Sequence, residues 1–269
     1  MNPNAGLSAW IEDLPKIGRF SFSLDEVKEQ FPEKNSSNIR NTLYRFSVAG
    51  KISSAWRGFY VIVLPDYGLE GRVPPVEYID QLMNYIGTDY YVALLSAAAL
   101  QGASHQAPQS FQVMTARQLR SKTADGILLD FYRRQGMQDS FFEQRQVKAG
   151  YINISKPAVT ALDLAGYVSR AGGISHVASV LSELADVIDF NVLCDEALLS
   201  FPCASVQRLG YLLEDVLDEG GLAEDLYLRS TEAGMKFNRA NLSKGQKGMQ
   251  PSFDRKWKIV VNYDVEVDD

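Results

Sequence analysis

Residues 35–50 place apolar and polar side chains on opposite sides of a helix. At about 100° per residue, Ile39, Leu43 and Phe46 fall within about 60° of one another. The other side is almost wholly polar or basic, with Ser37, Asn38, Arg40, Asn41, Tyr44 and Arg45. Such a helix requires a small core beneath one side and leaves the other side free.

A second helix precedes this one, and a hairpin follows it. Ser23 and Glu26 have the spacing of a capping box that starts the earlier helix, and Pro32 ends that helix. Two β-prone runs then flank a turn that contains glycine, at 51–56 and 59–64. Helix, tight turn, helix and hairpin in this order predict a winged helix-turn-helix over residues 1–64.

In a winged helix-turn-helix, the second helix enters the major groove of DNA, and the hairpin contacts the backbone or the minor groove. Because Arg can fork onto guanine and Asn onto adenine, we expect Asn38, Arg40 and Asn41 to contact base edges. Phosphates are the expected partners of three basic residues, Arg45, Lys51 and Arg57. The complete predicted DNA-binding set is Ser36, Ser37, Asn38, Arg40, Asn41, Tyr44, Arg45, Lys51 and Arg57.

The charge distribution favours an anionic partner for the leading segment only. The whole chain of 269 residues has a formal net charge of -6. Residues 1–64 hold eight Lys/Arg and six Asp/Glu, a net of +2, so the remainder carries -8. With so few basic groups, one copy should bind DNA weakly, and we expect dimerisation or cooperative binding on repeated half-sites.

Five proline and glycine residues follow the hairpin within eleven positions: Pro65, Gly68, Gly71, Pro74 and Pro75. Such a cluster is typical of a linker between domains. We therefore predict an α+β protein with an N-terminal winged helix-turn-helix, a linker over 65–75 and a larger mixed α/β domain over 76–269.

Helical and strand patterns alternate in the larger domain. The predicted helices are 77–86, 90–101, 156–167, 174–188, 190–199, 205–217 and 222–228, and the predicted strands are 111–115, 126–133, 141–155 and 257–267. Segment 90–101 is apolar on almost every side, which favours a buried helix. The polar residues 105–109 that follow it are interpreted as a loop that closes the core.

Three stretches of the larger domain share a likeness to one protein family. They are YYVALLSAAALQGASHQAPQ at 90–109 with FQVMT at 111–115, RLGYLLE at 208–214, and WKIVVN at 257–262. Together they resemble AbiEi-type antitoxins of bacterial abortive-infection toxin-antitoxin systems, which act in phage defence. The likeness extends over nearly the whole chain, and the family places its DNA-binding module in an N-terminal winged helix.

This resemblance implies a transcriptional autoregulator that binds double-stranded DNA at its own operator and represses its own operon. It also implies a functional partner, a nucleotidyltransferase-like toxin encoded beside the antitoxin. The family is often described as neutralising the toxin without a stable complex, so direct contact with the toxin stays open.

Two other functions fit the same sequence. A ligand-responsive winged-helix repressor would house a small-molecule pocket in the larger domain, and a winged-helix adaptor would bind protein instead of DNA. A metal-dependent nuclease fits poorly: Asp130, Glu143 and Lys148 have the right residue types, but Glu143 and Lys148 project to opposite faces of a regular strand. We therefore predict no enzyme activity and no catalytic residue.

The sequence gives little support for a metal site, a redox-active thiol or a membrane-spanning segment. The chain has two histidines and two cysteines without metal-binding spacing, so we expect no metal, no cofactor, and buried thiols at Cys194 and Cys203. Its longest uncharged apolar stretch, 90–100, is far shorter than the roughly 20 residues that span a bilayer. Residues 1–4 lack the layout of a signal peptide, which favours a cytoplasmic protein.

Overall fold

The computed structural model describes residues 6–67, 72–103, 108–244 and 250–267, and its chain divides into two compact units. Unit 1 comprises Met1–Tyr90, Gln109–Arg133 and Gln144–Asn153, and unit 2 comprises Tyr91–Pro108, Arg134–Glu143 and Ile154–Asp269. Part of the predicted linker, 68–71, lies outside the described residues, as do residues 105–107 of the predicted polar loop. The predicted boundaries at 64 and 76 stay a prediction.

Helices make up much of the described chain. They are α1 (Leu7–Asp13), α2 (Leu24–Gln30), α3 (Ser36–Val48), α4 (Ile79–Ile86), α5 (Leu94–Leu100), α6 (Pro157–Gly166), α7 (Ile174–Leu184), α8 (Asp195–Leu199), α9 (Cys203–Tyr211) and α10 (Gly220–Glu232). Short 3-10 turns and one π turn, Leu212–Val216, extend several of them. Within the described ranges, no helix combines the length and the apolar composition that crossing a membrane requires.

The strands of the described residues form three sheets. They are β1 (Ser21–Ser23), β2 (Ile52–Trp56), β3 (Phe59–Ile62), β4 (Tyr90–Val92), β5 (Ser110–Thr115), β6 (Lys122–Ala124), β7 (Ile127–Arg133), β8 (Phe142–Val147), β9 (Gly150–Ser155), β10 (Ala240–Asn241), β11 (Ser252–Phe253) and β12 (Ile259–Val261). The sheet orders are β1-β3-β2, β10-β12-β11 and β6-β7-β5-β4-β9-β8. Parallel and antiparallel pairs both occur in the longest sheet, which confirms the predicted α+β class with a mixed sheet.

The first 64 residues build a small core of their own within unit 1. Ile39, Leu43 and Phe46 on the inner side of α3 are at most 9% exposed, as the helical period predicts. They join a cluster of buried residues that includes Trp10 and Phe22, whose rings meet edge to face at 5.6 Å. This core fixes which side of α3 faces inward.

Local capping sets the ends of the two central helices of this segment. Ser23 Oγ accepts from the Glu26 amide at 3.0 Å, and Glu26 Oε2 accepts from the Ser23 amide at 2.7 Å. This reciprocal pair confirms the predicted capping box of α2. At α3, Asn35 Oδ1 accepts from the Asn38 amide at 2.8 Å and caps the helix.

The helix predicted over 90–101 was wrong in its first part. Tyr90–Val92 is strand β4, and α5 begins only at Leu94. Val92 pairs with Ile154 in a parallel ladder, and strand pairing of this kind leaves no trace in the local periodicity of an apolar run. The strand predicted over 257–267 was also too long, since β12 spans only Ile259–Val261.

The thiols were predicted to be buried, and this was wrong. Cys194 is exposed and Cys203 is half-buried. Both residues lie where a helix begins, Cys194 as the residue before α8 and Cys203 as the first residue of α9. Helix ends are commonly less covered than helix centres, so a small apolar side chain there is not enclosed.

Candidate nucleic-acid interface

The outer side of α3 is open to solvent along its whole length. Every residue of the predicted DNA-binding set is exposed: Ser36, Ser37, Asn38, Arg40, Asn41, Tyr44, Arg45, Lys51 and Arg57. The side chain of Tyr44 is 71% exposed, and the same holds for Val48 one turn further on. The surface formed by these residues on α3 is called the α3 face below.

Ion pairs divide the eight basic residues of segment 1–64 into two groups. Four of them have carboxylate partners at 2.5–2.9 Å: Lys16 with Asp13, Arg19 with Glu26, Lys28 with Asp25, and Lys51 with Glu12. Within the described residues, the other four have no acidic partner: Lys34, Arg40, Arg45 and Arg57. Uncompensated positive charge is therefore concentrated on α3, on the turn before it and on the hairpin turn.

Lys51 is the one predicted phosphate contact that the structure pairs with an acid. Its Nζ lies 2.7 Å from Glu12 Oε1, and both side chains are more than half exposed. Its ammonium also lies 5.3 Å from the centre of the Phe46 ring. An exposed pair of this kind contributes about 0–1 kcal/mol, so Lys51 can exchange Glu12 for a phosphate at little cost.

A groove along one edge of α3 adds residues that sequence patterns missed. It has a volume of about 620 Å³ and lies between α3 and the start of α1. Asn38, Asn41 and Arg45 line it together with Lys34 and Ser8. Lys34 precedes the capping residue Asn35, so it has no position on the helical wheel, and its neighbour Glu33 masks its charge in the sequence.

The hairpin of β2 and β3 is braced at its turn. Gly58 has a φ of +76°, and a Cβ there would lie 2.7 Å from the Tyr85 hydroxyl. That hydroxyl donates to the Arg57 carbonyl at 3.1 Å, while the Arg57 side chain stays exposed. The turn therefore needs glycine and presents Arg57 outward from a fixed backbone.

Trp56 packs against strand β7. Its ring meets Phe131 edge to face at 5.9 Å, and Lys122 Nζ lies 5.4 Å from the ring centre. Trp56 is therefore a packing residue of unit 1. This contact holds the hairpin against the β6 and β7 strands of unit 1.

Two of the residues weighed for a metal-dependent nuclease, Asp130 and Lys148, interact with hydroxyl groups and an aromatic ring instead. Asp130 accepts from the hydroxyls of Ser121 and, at 2.5 Å, Tyr132, and Lys148 Nζ lies 5.5 Å from the centre of the Tyr67 ring. In the part of the chain that the structure covers, no three His, Cys, Asp or Glu side chains are grouped to hold a metal ion.

Comparison with known proteins identifies a family likeness within the larger predicted domain. The family model of the AbiEi antitoxin C-terminal domain matches residues 91–215. Residues 91–215 are therefore similar to this antitoxin domain, and the stretch is called the AbiEi domain below. This domain contains most of the first stretch that suggested the resemblance and all of the stretch at 208–214.

The fold also has a solved relative. The crystal structure of the RV2827C protein from Mycobacterium tuberculosis is 14% identical and superposes with a TM-score of 0.68, covering 94% of this chain and 90% of that one. At this identity the likeness shows a shared fold alone. No curated protein matches the chain.

The AbiEi domain encloses an ion pair in its core. Arg134 Nη1 donates to Asp163 Oδ1 at 2.8 Å, and the Tyr91 hydroxyl donates to Asp163 Oδ2 at 2.9 Å. The Arg134 guanidinium lies between two rings, 4.3 Å from Phe141 and 4.0 Å from Phe201. Burial raises the pKa of Asp163 to about 6, although Arg134 acts in the opposite direction.

Proposed function

We propose that the chain is a DNA-binding transcriptional autoregulator and antitoxin. Residues 1–64 act as a winged helix-turn-helix on the protein's own operator, a linker over 65–75 follows, and 76–269 form the antitoxin domain. The functional partner is a nucleotidyltransferase-like toxin encoded beside the gene, and the protein acts in the cytoplasm, without catalysis or cofactor.

The α3 face carries this proposal. Helix α3 buries three apolar residues and exposes Arg40, Asn41 and Arg45 without acidic partners. Its positive charges are therefore available to bind the phosphates and bases of a DNA duplex. Arg40 and Asn41 suit base edges, since each good bidentate contact gives about 1–3 kcal/mol of discrimination. Arg45, Lys34 and Arg57 suit phosphates on either side of the groove.

The test compares variants on the DNA immediately upstream of the gene. Fluorescence anisotropy at several salt concentrations should show that the double variant Arg40→Ala with Asn41→Ala weakens binding by at least about 10-fold, since two base contacts are lost. Lys28→Ala is the matched control: it removes an exposed charge that is already paired with Asp25 on α2. Its affinity should stay within about twofold of the parent.

The same titrations separate the rival functions. If Lys34, Arg45 and Arg57 contact phosphates, log K should fall with log salt with a slope of about -3 per copy. Affinity and slope that are unchanged in the α3 variant would overturn the groove assignment and favour the adaptor. Operator binding that depends on a metabolite would favour the ligand-responsive repressor.

The antitoxin role is tested separately. Co-expression of the chain with the product of the adjacent gene should restore growth of cells that the adjacent gene alone arrests. Because the AbiEi domain is the antitoxin part, the α3 variant should protect as well as the parent when both are expressed from an external promoter. Failure of the parent chain to protect would contradict the toxin assignment and leave the DNA-binding result standing.

A further inference from the structure

Unit 2 contains a cavity of about 220 Å³, and the described residues that line it include two cations and no carboxylate. It lies between the end of α6, the turn before α7, helix α9 and the segment after β10. The polar residues around it are Ser169, Arg208, Ser243 and Lys244. The α3 face is in unit 1, so this cavity is a separate feature.

Arg208 enters the cavity with only neutral partners. Its Nε donates to the Asn241 carbonyl at 3.0 Å and its Nη1 to the Ala165 carbonyl at 3.3 Å. Among the described residues its other N–H groups have no acceptor and its charge has no carboxylate within 4 Å. Withdrawing a cation from water without a counter-charge costs free energy, and burial accordingly lowers the pKa of Arg208.

Hydrogen bonds hold the backbone of the cavity wall at Leu242 and Ser243. The Leu242 amide donates to the Val260 carbonyl at 3.0 Å. Asn262 holds Ser243 at both backbone groups, accepting from its amide at 3.1 Å and donating to its carbonyl at 2.9 Å. Because these bonds fix the backbone that carries Ser243 and Lys244, the cavity exists before any ligand arrives.

We propose that this cavity binds a phosphate group, either free phosphate or the end of a small phosphomonoester. A guanidinium presents paired N–H donors in the geometry of phosphate oxygens, and Lys244 adds a second positive charge. The hydroxyls of Ser169 and Ser243 supply further donors. The volume admits a phosphate with a few attached atoms and is too small for a drug-sized ligand.

Isothermal titration of the full chain tests this site with inorganic phosphate and with glycerol phosphate, a small monophosphate, against chloride at matched ionic strength. We expect saturable binding with one site per chain. Lys244→Gln should raise the Kd at least about fivefold, because an exposed side chain with no partner in the described residues loses its charge without disturbing the fold. Arg208→Gln should abolish binding.

Lys236→Gln is the matched control, since Lys236 is exposed and lies outside the cavity. Its Kd should equal that of the parent. Binding of the monophosphate at least about tenfold tighter than phosphate would identify a phosphomonoester, and equal affinities would identify free phosphate. Absence of saturable heat with both probes, or equal weakening by Lys244→Gln and Lys236→Gln, would overturn the proposal.

Discussion

At Gly210 the backbone of α9 lies directly against the indole ring of Trp257, so a Cβ there would overlap the ring. Trp257 is fully buried, and its ring nitrogen donates to Glu214 Oε2 at 2.6 Å. The two later stretches of the resemblance, 208–214 and 257–262, are therefore packing partners. A single absent methyl group allows them to meet.

Gly210→Ala should lower the free energy of unfolding by about 2–3 kcal/mol, because the indole cannot move without breaking its bond to Glu214. Urea denaturation measures this loss. Gly221→Ala in α10 is the control, since a Cβ there has nothing within 4 Å and alanine favours helix. Equal stability of the two variants would contradict the packing account.

Asp163 should make the stability of the AbiEi domain depend on pH. Burial raises its pKa from 3.8 to about 6, so between these values the folded state binds more protons than the unfolded state. The stabilisation is therefore complete below about pH 4 and declines by up to about 3 kcal/mol as the pH rises through 6.

Denaturant unfolding of the parent and of Asp163→Asn from about pH 4.5 to about pH 7.5, which brackets the raised pKa of the carboxyl, measures this dependence. The asparagine variant does not titrate at this position. The difference in the free energy of unfolding between the parent and the variant should therefore shrink as the pH rises. A difference that stays flat or grows would show that Arg134 holds the carboxylate ionised throughout.

At the scale of elements, predictability follows the range of the interactions that fix each segment. Helix α3 was predicted because its cap at Asn35 and its apolar period lie within the helix itself. Strand β4 was missed because its partner, Ile154, is 62 residues away from Val92 in sequence. The pairing of Lys51 with Glu12 and the groove at Lys34 were invisible for the same reason.

The Tyr85 hydroxyl holds the backbone of the hairpin turn between β2 and β3. Tyr85→Phe removes the hydroxyl that donates to the Arg57 carbonyl, so the free energy of unfolding should fall by about 0.5–1.5 kcal/mol. Thermal unfolding of the variant measures this loss. Tyr151→Phe removes a hydroxyl from a side chain that is 55% exposed and should leave stability unchanged. Equal effects of the two changes would show that the hydroxyl does not brace the turn.

For DNA binding by the whole molecule, the position of the charges matters more than the net charge. The chain carries a net -6, yet ion pairs leave four cations of its first 64 residues without acidic partners in the described structure. The stretch that matches the AbiEi family model, 91–215, is the part to which the antitoxin role is proposed to belong. The central claim is that the α3 face contacts a DNA duplex.

Photo-crosslinking tests that claim most directly. A benzophenone amino acid in place of Tyr44, whose side chain is 71% exposed on α3, should crosslink to the DNA upstream of the gene. The same group in place of Tyr151, which is 55% exposed on β9, should give no crosslink. Binding to that DNA without a crosslink at position 44 would contradict the account.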